Sequence, residues 1–462
     1  MADDSDRVQE ILRRWEALKS ARSVRHSQWD DLARVQLPHR IGFGTQPTEG
    51  AIRADDIYDA TPMQSARGLA NAVGAIMRPE GQHWFFLKTN DDADEKSDEV
   101  RSWLAEAEEN MRDAFDNPRA RFRQATGEAD LDLVVFGTAI IFETEGADLN
   151  YLLLQSVPLK DAWVFWSEEG APEGLYRQRP LTVRQAAKKF GVGKLSPQLQ
   201  DKHKNGDLDD RHDFLHVILP RDEARAGGVL AANFPIADLW IEVVGAHLTM
   251  TGGYHEAPFI VPRWDTSSGE DYGRSPGMIA LPDSNTLQAM EETLLIAGQR
   301  NADPPLAVPD DGAFNAMNTA PGGLSYYDPE LAKGMRGSPI FPLPSGANMP
   351  LTLEIQDRKR EQVAAAFFKN ILRLPVDGPE MTATEVIQRR EEFIREIGAV
   401  FGRLETEYTA PLVERAFRIM LRAGALPPVP RSLAGKSVRF EYQSPVKRIR
   451  QQVEAAAAQM IA

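Results

Sequence analysis

Ala434-Gly435-Lys436-Ser437 ends as a phosphate-binding loop ends. Such a loop needs a first glycine at position 430, so that consecutive backbone N–H groups cradle the phosphate. Pro430 stands there, and proline has no N–H to offer. The stretch reads as a turn before a strand. Gly42-Phe43-Gly44 lacks the third glycine and the following helix of a dinucleotide fingerprint. His212 and His216 are four apart, the spacing by which zinc enzymes set two histidines on one helix face with an intervening glutamate as base. The residues between are Asp213, Phe214 and Leu215, in a strand-like context. A strand would set the two rings about 13 Å apart, so they read as strand-edge histidines. The acidic runs 90–95 and 207–210 do not follow the calcium-loop pattern with its terminal glutamate. They read as solvated faces or turns. No serine sits in a Gly-x-Ser-x-Gly elbow. The expected catalytic residues, metal ligands and cofactors are therefore none.

The basic residues gather in one informative place. A helix predicted over 352–373 carries Arg358, Lys359, Arg360, Lys369 and Arg373. Taken alone this is a solvated helix face, and the same holds for Lys447, Arg448 and Arg450. Clustering within an acidic chain leaves a local polyanion contact open.

The chain has 68 acidic residues against 53 lysines and arginines, a net charge of −15. That excludes coating nucleic acid with the whole surface, because counterion release needs clustered cations. A hydrophobic share of 42% is enough to build a core. The absence of cysteine excludes disulfides, thiolate catalysis and cysteine-bound metal. A reducing compartment is compatible with this. No targeting signal is expected at either end, and no apolar run is long enough to span a membrane.

The elements that must position these residues follow from periodicity. Residues 5–36 read as helix, ended by Pro38. Residues 62–77 form a small-residue helix with Thr61 as N-cap and Pro62 at its first position. Residues 84–87 are a short strand, and 91–125 carry a helical stripe. LDLVVFGTAIIFE begins as a buried helix, and Gly137 permits the turn into a strand. Residues 130–265 are rich in strand signal, with 182–190 a short helix, 199–213 a polar loop, and a hairpin from 236. The texture then changes. A helix over 281–301, capped by Pro282 and Asp283, leads into the proline- and glycine-rich stretch 303–350. There PPLAV, GGLSYY and SPIFPL read as small strands joined by tight turns. The helix 352–373 returns, LPVDGPEM is a loop, and a long helix follows, capped by Thr382 or Thr384 and kinked at Pro411. VRFEYQS is a strand, and PVKRIRQQVEAAAAQMIA a closing helix.

Two helices bracketing a small insert look like a hairpin that carries the insert away from a body. In this arrangement the chain resembles the portal, or head-to-tail connector, proteins of short-tailed phages. The matching segments are RRWEALKSARSVRHSQWDDLARVQLP, YDATPMQSARGLANAVGAIMRPEGQHWFFL, VVFGTAIIF, VPLKDAWV, RWDTSSGEDYGRSPGMIALPDSNTLQ, and MTATEVIQRREEF with LETEYTAPLVERAF. YQSPVKRIRQQ resembles a late Ser-Pro-Leu-Ala-Arg-type motif, from which Val446 and Lys447 depart.

The resemblance implies an α+β portal fold. Its parts would be a β-rich and helical wing (1–275), stem helix 1 (276–302), a small α/β clip (303–350) and stem helix 2 (351–373). A tunnel loop (374–381), a long kinked wing helix (382–424), and a C-terminal strand with a short crown helix (425–462) would complete it. It further implies a homo-oligomeric ring, usually of twelve subunits, at a unique capsid vertex of the virion, assembled in the host cytoplasm. The partners would be the major capsid protein, the terminase large subunit (transiently), a tail adaptor, and double-stranded DNA passing through without sequence readout. Lys369, Arg373, Val376, Asp377, Gly378 and Glu380 would face the DNA. Tyr326, Tyr327, Lys333 and Arg336 of the clip would bind partners. The alternative is another head–tail adaptor or tail ring protein, which would lack the helix–insert–helix stem. A hydrolytic or nucleic-acid-processing enzyme would need a catalytic constellation that the residues do not supply.

Overall fold

The computed structural model describes residues 2–44, 57–89, 97–146, 151–222, 234–309, 320, 323–327, 341–342, 349–369, 398, 400–433 and 438–442. It is a mixed α+β structure, and helix α1 (Ala2–Gln36) opens it. At 35 residues α1 spans about 50 Å. Its first half lays Val8, Ile11 and Trp15 on a sheet, against Trp163, Tyr176, Leu215, Val217 and Leu239. Its second half buries Trp29, Leu32 and Ala33 in the main core. One helix thus ties two cores together.

The largest sheet is antiparallel, in the order β4 (Ala162–Trp166), β5 (Pro172–Thr182), β6 (Arg211–Pro220), β7 (Ile236–Glu242), β8 (His247–Tyr254). Its second face is covered by α5 (Val183–Phe190) and α6 (Pro197–Asn205), which bury Val183, Phe190 and Leu199 against Phe214 and Trp240. The polar loop expected over 199–213 is therefore partly helix. The signals that bound α6 are local: the Ser196 hydroxyl accepts from the Leu199 N–H, Pro197 opens the helix, and Gly206 closes it at φ +88°.

The main core gathers α2 (Thr61–Met77), α3 (Asp98–Asp116) and α4 (Phe122–Phe136) around two small sheets. One sheet has the order β3 (Leu152–Ser156), β2 (Ile141–Glu145), β9 (Phe259–Ile260). The other pairs β1 (Phe85–Thr89) antiparallel with β13 (Val438–Tyr442), joining strands far apart in the chain. Thr61 is not the cap of α2. Ala60 holds that position, and the Asp59 carboxylate accepts the Thr61 N–H at 2.7 Å. As expected, Gly137 ends α4 in the left-handed region, at φ +80°.

Helix α7 (Pro276–Ala302) starts earlier than its periodicity predicts, because Ser275 rather than Pro282 supplies the cap. Pro282 lies inside the helix. Between α7 and α8 (Met349–Ala366) sits a three-stranded sheet, β11 (Leu324–Tyr327), β10 (Leu306–Pro309), β12 (Phe341–Pro342). The three expected strands exist, and β10 pairs with β11 in parallel and with β12 antiparallel. Near the end of the chain, a π-helical turn (Glu405–Thr409) precedes α9 (Ala410–Arg422). It falls where Pro411 is expected to kink the helix, since proline removes one i→i−4 bond and crowds the preceding turn.

Candidate functional site

Helices α7 and α8 lie side by side and antiparallel. Gln356 Nε2 donates to Glu291 Oε2 at 2.8 Å, and Lys359 Nζ reaches Asp283 Oδ1 at 2.7 Å, so rising numbers on one helix meet falling numbers on the other. With 27 residues, α7 extends about 40 Å. The small β10–β12 sheet lies between them in the chain.

The base of this hairpin is held by close backbone approach. A Cβ on Gly277 would meet the Gln36 Oε1 at 2.4 Å and the Val135 carbonyl at 2.8 Å. The space is used by hydrogen bonds: Gln36 Nε2 donates to the Gly277 carbonyl at 2.8 Å, and the Ser275 hydroxyl donates to the Val135 carbonyl at 2.6 Å. Gly273 and Gly137 back onto each other in the same crossing.

A second grip comes from the loop before α2. Gln288 of α7 accepts from the Tyr58 and Asp59 N–H groups at 2.8 and 3.0 Å, and donates to the Asp59 carbonyl at 2.7 Å. Arg360 of α8 donates to Asp59 Oδ2 at 2.7 Å and to Glu291 at 3.2 Å. Burial pushes the Asp59 carboxyl up, but hydrogen bonds from Thr61 and Arg360 outweigh it and hold the group below its ordinary value. Lys359 and Arg360 are therefore structural cations. Arg358 is exposed and has no ion-pair partner among the described residues.

The segments singled out in the sequence meet near this base. Arg263, from RWDTSS, forks onto Glu407, from LETEYTAP, at 2.9 and 3.1 Å. The Tyr408 hydroxyl donates to Asp130 Oδ1 of α4 at 3.1 Å, and Arg78 closes that buried cluster with Asp130. Arg415, from VERAF, donates to the Glu143 carbonyl at 2.8 Å.

A profile of the family described as bacteriophage head to tail connecting protein matches residues 8–462. The chain belongs to that family. It is similar to the probable portal protein of Bordetella phage BPP-1, at 29% identity over 452 residues, covering 96% of this chain and 80% of that one. It is also similar to the portal protein of Salmonella phage epsilon15, at 26% identity over 440 residues, covering 94% of this chain and 78% of that one. A chain in the solved virion of a native gene transfer agent particle aligns with a TM-score of 0.42 at 12% identity, over 89% of this chain and 91% of that one. Family membership makes this a structural connector of the phage particle rather than an enzyme.

The expected site residues fall unevenly. Lys369 is half-buried and lies beyond α8, not within it. The helix ends at Ala366 because Phe367 is fully buried and Phe368, at φ +55°, turns the chain so that its ring lies 6.5 Å from Trp264. Arg373, Val376, Asp377, Gly378 and Glu380 lie outside the described residues, as do Lys333 and Arg336, Thr382 and Thr384, the tunnel loop and the closing helix. Tyr326 and Tyr327 lie on β11, opposite Val308 and Pro309 of β10. The chemistry-like motifs are used locally. The Gly42, Phe43 and Gly44 N–H groups all donate to the Asp30 carboxylate, at 2.9, 2.9 and 3.0 Å. His212 and His216 lie on a strand and have separate neighbours: Lys202 Nζ at 3.2 Å from His212, Asp238 Oδ1 at 2.8 Å from His216. Asp209 and Asp210 pair with Arg184 and Lys202. Residues 90–95 and 434–437 lie outside the described residues. Among the described residues no group of three His, Asp or Glu side chains could hold a metal, and no helix is long and apolar enough to cross a membrane.

Sequence reasoning missed Asp59, Gln288 and the Gly273–Gly137 crossing as anchoring features. Asp59 had a signal, an acidic residue two positions before a helix-opening Thr-Pro. Gln288 had none, since one glutamine on a helix face carries no marker of its partner.

Proposed function

We propose that copies of this chain close into a ring, usually of twelve subunits in this family, at one capsid vertex, and that double-stranded DNA passes through its centre during packaging and ejection. In this reading residues 1–275 and 382–424 form the wing, 276–302 and 351–373 the stem, and 303–350 the clip. Residues 374–381 are the tunnel loop, and 425–462 supply a C-terminal strand and a short crown. The terminase large subunit and then a tail adaptor dock on the clip, where Tyr326, Tyr327, Lys333 and Arg336 are the partner-binding residues. The major capsid protein surrounds the wing.

The observation that carries this reading is the antiparallel α7–α8 hairpin, anchored at its base and bracketing a small sheet, in a chain matched by the connector family over residues 8–462. Ile279, Leu295 and Ile296 of α7 and Leu353 and Ile355 of α8 are exposed, an apolar surface that a neighbouring stem would cover. Charge supports a conduit. Twelve copies at −15 sum to about −180, a field that disfavours sticking of phosphate. Lys369 and Arg373 supply a local cationic ring before the tunnel loop, and Val376, Asp377, Gly378 and Glu380 of that loop face the DNA.

The test is the mass of the purified protein with an end view by electron microscopy. A closed ring is expected, and a monomer under all conditions would count against it. Deleting 303–350 should leave a foldable body that no longer docks terminase or tail. Replacing Lys369 and Arg373 by glutamate should impair packaging while rings still assemble.

A further inference from the structure

A cleft of about 480 Å³ opens between the start of α4, the end of β3 and the middle of β5. Residues 175, 177 and 179 share one face of β5, since strand side chains alternate. Leu175 is in the core, while Arg177 and Arg179 line the cleft. Arg177 is only 6% exposed, yet its guanidinium makes no hydrogen bond among the described residues. It rests on the Phe142 ring, 5.4 Å from the ring centroid, and its nitrogens reach only the water of the cleft, so a charged acceptor placed there would gain a charge-assisted hydrogen bond. The Ser156 hydroxyl, on the β3 wall, is buried and without a hydrogen-bond partner among the described residues. Across the cleft stands Arg121, whose φ of +56° places it in the left-handed region at the N-cap of α4.

The acids lining the cleft form no hydrogen bond with these cations among the described residues. Glu128 is held by Arg40 at 3.2 Å. Asp161 is near enough to be felt by Arg177 and Arg179, but hydrogen-bonds to neither among the described residues. Burial, with Arg179 alongside, pushes the Arg177 guanidinium down to about 9.

We propose that this cleft is an anion-binding site for a phosphate-type oxyanion, held by the Arg177 and Arg179 guanidiniums with the Ser156 hydroxyl as a further donor. Two guanidiniums and a hydroxyl lining one cleft suit a group with several acceptor oxygens. Such an anion would give Arg177 the acceptor it lacks and offset its repulsion with Arg179.

The test titrates the full-length protein with inorganic phosphate against sodium chloride of equal ionic strength, read by calorimetry and by melting temperature. Saturable binding and a rising melting temperature are expected. Arg179→Gln, at a half-buried position, should weaken phosphate binding by about tenfold or more. Ser156→Ala should weaken it less, and gives a second reading should the arginine variant fold poorly. Dimethyl phosphate distinguishes two sources of the same chemistry. Binding of inorganic phosphate alone supports a free dianion, and binding of both supports a phosphodiester backbone. No saturable response in the unsubstituted protein, or equal affinity in all three proteins, would overturn the proposal.

Discussion

A Cβ built on Gly273 would lie 2.1 Å from the carbonyl oxygen of Gly137. The reverse contact, from Gly137 to the Gly273 carbonyl, is 2.5 Å, and both meet backbone that has no flexible end to yield. This crossing joins the end of α4 to the residues that lead into α7. Gly273→Ala should destabilise the protein by more than about 3 kcal/mol or prevent soluble expression. Gly68, on the exposed side of α2, has nothing within 4 Å of its Cβ position. Gly68→Ala should instead stabilise by about 0.5–1 kcal/mol, read by chemical denaturation.

Arg360 joins α8 to Asp59, in the loop before α2, at 2.7 Å. Arg360→Gln should cost about 1–2 kcal/mol, with the cation's partial exposure limiting the loss. The pH dependence has a definite sign. The folded Asp59 carboxyl lies below its ordinary value, so its contribution is complete above the ordinary aspartate range and is lost as pH falls through the lowered value. The stability difference between the parent and Arg360→Gln should therefore shrink on acidification from pH about 7 to about 3. A constant difference across that range would remove Asp59 as the group responsible.

Glu143 behaves in the opposite sense. It is fully buried, its carboxyl oxygens have no hydrogen-bond partner among the described residues, and burial pushes it up to about 8 despite the nearby Arg415. A carboxyl raised on folding favours the folded state when protonated, so stability falls as pH rises from the ordinary glutamate value toward the raised one. Glu143→Gln should flatten that fall. Its advantage over the parent should grow between pH about 5 and about 8, reaching the order of a few kcal/mol. Denaturant midpoints across that range measure it, and parallel curves would assign the slope to other groups.

The helices and the order of the parts are legible in the sequence because they rest on local patterns. The α4 stop at Gly137 and the three strands between α7 and α8 follow from spacing and turn residues alone. What is not legible depends on partners distant in sequence. Asp30 takes the three N–H groups of Gly42-Phe43-Gly44, and nothing in that tripeptide shows that a residue on α1 already fills it. Lys359 and Arg360 look like candidates for a polyanion, but Asp283, Glu291 and Asp59 meet them only once the hairpin has formed. The end of α8 at Ala366 is likewise tertiary, since Phe367 is drawn into the core against helical continuation.

The Arg263–Glu407 pair tests whether the π-helical turn is held from outside or arises from Pro411 alone. Both side chains are mostly buried, and Glu407 accepts from the Arg263 backbone N–H as well as from its guanidinium. Removing only the arginine side chain leaves the carboxylate with Arg403 at 3.3 Å and one backbone N–H, so Arg263→Met should cost about 1–3 kcal/mol. Glu407→Leu alone should cost less, about 1–2 kcal/mol, since the guanidinium keeps the Gly170 and Asp271 carbonyls at 3.1 and 3.3 Å and loses only its charged partner. The double substitution replaces the pair by apolar surface and should recover most of the loss, giving a coupling energy of about 1–3 kcal/mol. Additive losses in a double-mutant cycle would show that the two residues act independently. If the double variant is also as stable as the parent, the turn does not need this pair, and the proline's missing N–H is sufficient to keep it in place.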